Sequence, residues 1–130
     1  MGETLTDIKT LREFETPVRA FPGVSRFITI VGLMPDVAVP GGQTRTETYT
    51  CLVGPVLKQH EFIGASCLPS IARLESSTLE PAQCVIESWD ADWAEEPEQV
   101  ELRVQVSTVG AAAKLQILFS VTILATARSD

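Results

Sequence analysis

Strict alternation of apolar and polar side chains near the end of the chain is the feature that most constrains its fold. Valine and leucine occupy every second position between residues 100 and 106, and the pattern returns between residues 115 and 125. Successive side chains of a β-strand point to opposite faces of a sheet, so a period of two predicts strands with one buried face. We therefore predict a hairpin of two half-buried strands, joined at a break of small residues at 110–113.

Shorter runs rich in β-branched residues predict the rest of the sheet structure. Glycine and proline turn signals, among them those at residues 21–23 and 76–81, separate these runs. The predicted strands cover residues 25–34, 44–53, 70–75 and 83–89. Short strands separated by regular turns indicate an all-β fold, an antiparallel β-sandwich of six to seven strands. We assign residues 21–130 to this sandwich domain.

The first part of the chain, residues 1–20, is predicted to be an N-terminal arm or a short helix. Leu5, Ile8 and Leu11 have helical spacing, and Pro17 would end such a helix. The alternative is a mobile N-terminal arm, and either the helix or the arm could cross to a neighbouring subunit.

Composition narrows the class of protein. The chain has 130 residues, enough for one domain with its own core, and a net charge of −7. Its ten lysines and arginines are scattered, which argues against nucleic-acid binding because phosphate contacts need clustered basic residues. No apolar stretch is long enough for a membrane helix, and the start has no signal-peptide pattern. We expect an acidic, soluble, cytoplasmic protein without a membrane partner.

The number and spacing of the three cysteines agree with the predicted cytoplasmic location. Cys51, Cys67 and Cys84 are an odd number without a Cys-x-x-Cys pair, which fits reduced, buried thiols. A single disulfide with one free cysteine is the alternative.

Catalytic motifs are weak. His60 is the single histidine and has no second ligand at metal spacing. Ser66 begins a pattern like a nucleophile elbow, but the second glycine is missing. We expect no enzyme, no cofactor and no metal site, although two carboxylates of the acidic stretch described next could in principle act as acid and base.

The stretch that offers the most candidate ligand-binding side chains is acidic and contains both tryptophans. Trp89, Asp90, Asp92 and Trp93 are followed by three glutamates within residues 95–98, and we expect a solvated loop. The glycine and glutamate of a calcium-binding EF-hand loop are absent, so we expect no tight calcium binding, to be checked by calorimetry. Tryptophan beside carboxylates can bind a carbohydrate by stacking and hydrogen bonding. These four residues are the candidate carbohydrate site.

Two fragments resemble the H-type lectin domains. The fragments are Phe14-x-x-Pro17-Val18-x-x-x-Pro22-x-Val24 with the apolar strand that follows it, and Phe62-x-x-x-x-Cys67-x-Pro69 with the closing apolar strand. The resemblance implies a six-stranded sandwich assembled as a trimer or hexamer, with sugar sites between subunits. The family's tryptophan before its last strand is missing, since Val109-Gly110 stands there. No binding residue of the family is therefore carried over.

Apolar residues on both faces of two predicted strands indicate self-association. Leu118 and Leu124 lie on the nominally polar face of the closing strand, and we expect Ile28 and Ile30 on the second face of the strand at 25–34. A patch made of both would exceed what monomers usually expose. We predict a homo-oligomer whose interface contains these four residues. The function expected first is that of a non-catalytic, self-assembling structural or protein-interaction unit, and the alternative is a lectin-like carbohydrate-binding module with a glycan partner.

Overall fold

The computed structural model describes residues 2–4, 8–17, 26–39, 42–76, 82–110 and 113–126. Within them the chain forms eight β-strands and one 3-10 helix, Gln59–Glu61. The strands are β1 (Gly2–Thr4), β2 (Lys9–Pro17), β3 (Arg26–Val39), β4 (Gly42–Val53), β5 (Phe62–Ser76), β6 (Ala82–Ala94), β7 (Gln99–Gly110) and β8 (Ala113–Ala125). The predicted all-β class is confirmed, with eight strands rather than six to seven. The turn predicted at 21–23, most of that at 76–81 and the middle two residues of the break at 110–113 lie outside the described residues.

The strands form two four-stranded sheets that pack face to face. Sheet I has the order β1-β4-β7-β6, and sheet II has the order β2-β3-β8-β5. Neighbouring strands are antiparallel, except that β1 runs parallel to β4. At one side of the sandwich, β5 of sheet II contacts β6 of sheet I. The two predicted closing strands, β7 and β8, are therefore central strands of different sheets rather than one hairpin.

The inner faces of both sheets supply the core, and the alternation in the sequence decides which residues these are. Every second residue of β7 and of β8 is buried, and the residues between them are more exposed. The largest side chains that are fully buried include Tyr49 of β4 and Phe119 of β8. Burying each large apolar side chain contributes about 1.5–3 kcal/mol, so the two central strands provide much of the stability.

One close approach inside sheet II requires a glycine. Gly32 of β3 is the register partner of Phe119 in β8, and a Cβ atom at position 32 would lie 2.4 Å from the Cζ atom of the Phe119 ring. Side chains directly opposite each other share one face of a sheet. The phenylalanine ring therefore occupies the space that a larger residue at position 32 would need.

A buried ion cluster joins four parts of the chain at one end of the sandwich. Arg26 is almost fully buried, and its Nη1 atom lies 3.1 Å from Oε1 of Glu15 in β2. Its Nη2 atom lies 3.6 Å from Oε2 of Glu61 in the 3-10 helix, and its Nε atom donates to the carbonyl of Thr126, 2.8 Å away. The backbone of Thr126 in turn donates to the carbonyl of Glu61. The guanidinium thus fixes the helix and the edge strand β2 to the end of β8.

Of the two alternatives predicted for residues 1–20, an arm or a short helix, the helix is wrong for the residues that are described. Lys9–Pro17 is strand β2, paired with β3, and its residues are exposed because it forms an edge of sheet II. Ile8 packs against the core, whereas Leu11 lies in a bulge between Thr10 and Arg12 and is 55% exposed. The helical spacing of these side chains did not determine the structure, because the backbone N–H and C=O groups of this segment form hydrogen bonds with β3 instead of with one another.

Strand β3 is longer than the sequence predicts. The prediction ended the strand at Met34 because Pro35 follows, yet β3 continues to Val39. The register shifts between Met34 and Val37, so a bulge accommodates the proline, which has no N–H group for the ladder. In the part of the chain that is described, no helix has the length and apolarity needed to cross a membrane.

Candidate functional site

The stretch that contains both tryptophans is a strand rather than the predicted loop. Residues 89–94 belong to β6, and only Glu95–Glu98 form the turn that leads to β7. The register pairs Trp89 with Val104 and Trp93 with Val100, whereas Asp90 pairs with Arg103. Because Val100 and Val104 face the core, the tryptophans lie on the inner side of β6 and the aspartates on its outer side. The alternation of tryptophan and aspartate is itself a strand pattern, and the acidic residues obscured it.

Trp93 is held by the connection between β4 and β5. Its indole Nε1 atom donates a hydrogen bond of 2.8 Å to the carbonyl of Leu57, and its backbone N–H donates to Oδ1 of Asp92. The N–H of Leu57 donates to the carbonyl of Glu98, and Nε2 of Gln99 donates to the carbonyl of Gly54. Trp93 therefore anchors this connection to the end of sheet I. Its indole N–H is already used by the protein.

Asp90 lines a shallow depression on the outer face of sheet I, about 360 Å³ in volume, and Trp89, whose side chain lies on the inner side of the edge strand β6, borders it. Trp89 is 44% exposed. The remaining lining residues come from the two neighbouring strands and from β6, and they are Thr48, Ser88, Arg103 and Gln105. Thr48, Gln105 and Ser88 form one row across β4, β7 and β6, and the Ser88 hydroxyl donates to Oε1 of Gln105 at 2.9 Å. The depression thus offers hydroxyl, amide, guanidinium and carboxylate groups over a short span.

Asp92 lies at a second depression, of about 240 Å³, that also contacts Asp90 and Trp93. The two depressions share Arg103, whose Nε atom donates to Oε1 of Glu101 at 2.9 Å. This hydrogen bond, with the charges of Glu101, Asp90 and Asp92, raises the pKa of Arg103. The four predicted carbohydrate residues are therefore divided between two neighbouring depressions around one arginine.

No group of three histidine, cysteine, aspartate or glutamate side chains converges on one point in the described part of the chain. The weak calcium affinity expected for residues 90–98 stays a prediction for calorimetry. His60, in the 3-10 helix, and Ser66, in β5, are both exposed. They lie on different elements, and Ser66 belongs to the outer face of sheet II.

The predicted interface residues separate into two groups. Leu118 and Leu124 point outward from β8 and are half-buried. Ile28 and Ile30 do not join them, because they are 2% and 1% exposed and lie in the core between the sheets. The assignment of these two isoleucines to the free face of β3 is therefore wrong. Sequence alone could not choose the face, since both faces of this segment are apolar.

The outer face of sheet II instead combines Leu118 and Leu124 with the odd-numbered residues of β3. Phe27 pairs with Leu124, and Leu33 pairs with Leu118, so two apolar pairs lie on neighbouring strands. Between them are a valine–serine pair and a threonine–threonine pair, Val31 with Ser120 and Thr29 with Thr122. Within residues 27–33 the one polar side chain, Thr29, belongs to the odd-numbered set, and this was the only sequence signal that this set is outward.

The two edge strands extend this face on either side. From β2 it receives Lys9, Arg12, Phe14 and Thr16, and from β5 it receives Gly64, Ser66, Leu68 and Ser70. Phe14 is 42% exposed and Leu68 is 65% exposed. The Arg12 guanidinium carbon lies 5.0 Å from the centre of the Phe14 ring, a cation–π contact. The outer face of sheet II, defined by these residues of β2, β3, β8 and β5, thus carries apolar and hydroxyl side chains with two basic residues at one edge.

The three cysteines form no disulfide with one another. Cys51 is buried, whereas Cys67 and Cys84 are half-buried, less than the sequence predicted. Burial, with the charge of Glu101 adding to it, raises the pKa of Cys51 from 9.0 to about 12. Burial also raises the pKa of Cys67, where the charge of Asp90 contributes, and that of Cys84.

These environments predict an order of thiol reactivity and a pH effect. In the native protein at pH 8, a thiol reagent should modify Cys67 and Cys84 before Cys51, as mass spectrometry of the unreduced protein can measure. With a folded pKa of about 12 against 9.0 for an ordinary thiol, the unfolded chain loses its proton first as the pH rises. The free energy of unfolding should then fall above pH ~9, by at most about 1.4 kcal/mol per pH unit. A Cys51→Ala variant should lose this part of the slope, and an identical slope would contradict the assignment.

The depressions on sheet I and the apolar face of sheet II belong to one all-β sandwich. The outer face of sheet I is polar, and the outer face of sheet II is largely uncharged. Comparison with protein-family models, with curated proteins and with solved structures gave no match. The resemblance to H-type lectin domains therefore stays a prediction.

Proposed function

We propose that this protein is a non-catalytic β-sandwich that assembles with a second copy of itself and serves as a structural or protein-interaction unit. The observation that carries the proposal is the outer face of sheet II. Across four strands, this face presents aromatic and aliphatic side chains separated by threonine and serine. Its two central strands present no charged side chain between residues 27 and 33 or between residues 116 and 124.

Charge supports a second copy as the occupant. The chain carries a net charge of −7, so most contacts between two copies would oppose carboxylates. The outer face of sheet II avoids this, because its charged residues across the four rows are Lys9 and Arg12, and Glu13 and Glu15 point to the opposite side of β2. Like charges placed opposite each other in an interface cost several kcal/mol. Self-association through this face is therefore less opposed than through the acidic outer face of sheet I.

The area of the outer face of sheet II indicates how strongly two copies are expected to associate. Four strands about 4.8 Å apart and seven residues at about 3.4 Å each give roughly 19 by 24 Å, or about 450 Å² per copy. Two copies then bury about 900 Å², less than the roughly 1,200–2,000 Å² of stable specific interfaces. We therefore expect a reversible dimer that forms at micromolar concentrations.

Two charged substitutions test the proposal. In a Leu118→Glu, Leu124→Glu double variant, two carboxylates replace apolar side chains on β8, a central strand of the contact, and association should be lost. Sedimentation velocity at high micromolar concentration should show a dimer for the wild type and a 14.1 kDa monomer for the variant. The matched control is Val85→Glu, Val109→Glu, which adds the same charge to the outer face of sheet I and should leave the dimer intact. A monomeric wild type, or a dimer that survives the double variant, would contradict the proposal.

A second candidate function is carbohydrate binding at the depression on the outer face of sheet I. The observation that favours it is that Trp89 and Asp90 line one concavity with four polar residues. Hydroxyl groups of sugars are recognised by such carboxylate, amide and guanidinium side chains. A glycan array with the wild type tests this candidate. Any binding found should be lost in Asp90→Ala and kept in Ser66→Ala, which lies on the other sheet.

A further inference from the structure

The outer face of sheet II consists of rows of side chains that restrict how two copies can pair. The inference drawn from these rows rests on the proposed self-association. Each row crosses the strands in the order β2, β3, β8, β5. The four rows are Thr16–Phe27–Leu124–Gly64, Phe14–Thr29–Thr122–Ser66, Arg12–Val31–Ser120–Leu68 and Lys9–Leu33–Leu118–Ser70. The two middle members of a row therefore match in character in three of the four rows.

Two symmetric stackings of this face are available. Sheets that pack face to face keep their strands roughly aligned, and a dimer contact of identical faces has a two-fold axis. The axis lies between the two sheets and runs either along the strands or across them. With the axis along the strands, β3 lies over β8 of the second copy and β2 lies over β5. With the axis across the strands, each strand lies over itself with its direction reversed.

The pairing of side chains favours the axis along the strands. In that arrangement each row meets the same row of the second copy, so Phe27 faces Leu124, Leu33 faces Leu118 and threonine faces threonine. Leu68, the most exposed large apolar residue of this face, then lies against Arg12 and beside Phe14 of the second copy. With the axis across the strands, Leu68 would instead meet the Ser66 position.

The charges favour the same arrangement. Lys9 and Arg12 lie on β2, at one edge of the face. With the axis across the strands, β2 lies over β2, and the basic residues of both copies approach each other across a gap of about 10 Å. With the axis along the strands, the two β2 strands are displaced sideways by three strand spacings, roughly 14 Å. The sideways displacement reduces the repulsion between the basic residues of the two copies. It exceeds the distance of about 10 Å over which charges are screened at 0.1 M salt.

We infer that the second copy docks with its β5 over β2 of the first, with the two-fold axis along the strands and between β3 and β8. The partner surface of each edge strand is thus the opposite edge strand of the other copy. Leu68 and the Arg12–Phe14 pair form two equivalent contacts at the sides of the dimer, around a central contact made by β3 and β8.

Single cysteines on the edge strands test this arrangement. The variants Thr16→Cys in β2 and Ser66→Cys in β5 are made in a Cys67→Ser, Cys84→Ser background, and both positions are exposed. A short bismaleimide crosslinker then reports which edge strands face each other. Thr16 and Ser66 lie in neighbouring rows, two residues or about 7 Å apart along the strands. An equal mixture of the two variants should give a covalent dimer, and each variant alone should give little, because equal edge strands are roughly 14 Å apart sideways.

The outcomes separate the arrangement from the proposed function. Crosslinking of Ser66→Cys with itself, without crosslinking in the mixture, would overturn the inferred arrangement in favour of the axis across the strands. A dimer in sedimentation that crosslinks in neither case would also overturn it and leave the proposed function standing. A monomer in sedimentation would remove both. Thr46→Cys mixed with Ser107→Cys, on the outer face of sheet I, is the control and should give no covalent dimer.

Discussion

Replacing Arg26 by methionine should lower the free energy of unfolding by about 3–5 kcal/mol, the range for breaking a buried ion pair from one side. Methionine keeps much of the side-chain volume, so the loss would come mainly from the charge and its hydrogen bonds. Without the guanidinium, the nearly buried Glu61 carboxylate loses the cation 3.6 Å away, and the carbonyl of Thr126 loses its donor. Chemical denaturation followed by intrinsic fluorescence measures the change.

A matched surface substitution separates this effect from a general cost of losing an arginine. Arg73 pairs with Glu75 at 3.4 Å, but both side chains are more than half exposed, at 63% and 60%. Exposed pairs contribute about 0–1 kcal/mol, so Arg73→Met should change stability little. Equal effects of the two substitutions would mean that the Arg26 cluster does not hold the end of the sandwich together.

Replacing Gly32 by alanine should destabilise the fold by about 1–3 kcal/mol, the usual cost of overpacking a core. The new methyl group would lie 2.4 Å from the Phe119 ring, and Phe119 is a buried residue on the neighbouring strand. The ring or the two central strands of sheet II must then move. Thermal unfolding of the variant should begin at a lower temperature than that of the wild type.

Two further variants show whether the clash is the cause. Gly64 has no heavy atom within 4 Å of the position where a Cβ atom would lie, so Gly64→Ala should be close to neutral. Phe119→Leu removes part of the ring, and the double variant Gly32→Ala, Phe119→Leu should be more stable than the sum of the two single changes implies. An additive result would contradict direct contact between the two positions.

The parts of the fold that followed from sequence are those with a single apolar face. In β7 and β8, apolar and polar residues alternate so strictly that both the strand and its buried side could be predicted. The outward threonines of β4 are another example, since Thr48 and Thr50 pair with the outward Gln105 and Arg103. In these strands the polarity of each side chain is enough to predict whether it is buried or exposed, without knowledge of contacts with distant parts of the chain.

Segments with two apolar faces, or with competing local signals, could not be assigned in this way. Residues 27–34 have apolar side chains on both sides, so their sequence does not show which side is buried, and the prediction for Ile28 and Ile30 is wrong. The inner side was decided by the register with β8, which sets Ile28 beside Ile123. The acidic residues around Trp93 indicated a loop, but pairing with β7 and the hydrogen bond from its indole to Leu57 keep that segment in a strand.

The sequence by itself thus determined the all-β class, the strands β7 and β8 with their buried faces, and an acidic, largely aliphatic composition, because these depend on local periodicity and residue type. The tertiary structure alone decided which sheet each strand joined, which face of β3 was free, and that the depression with Trp89 and Asp90 also contains Arg103 and Gln105. Those properties arise from pairing between residues far apart in the chain. The free energy of that pairing depends on the complementary strand, which periodicity within one segment does not specify.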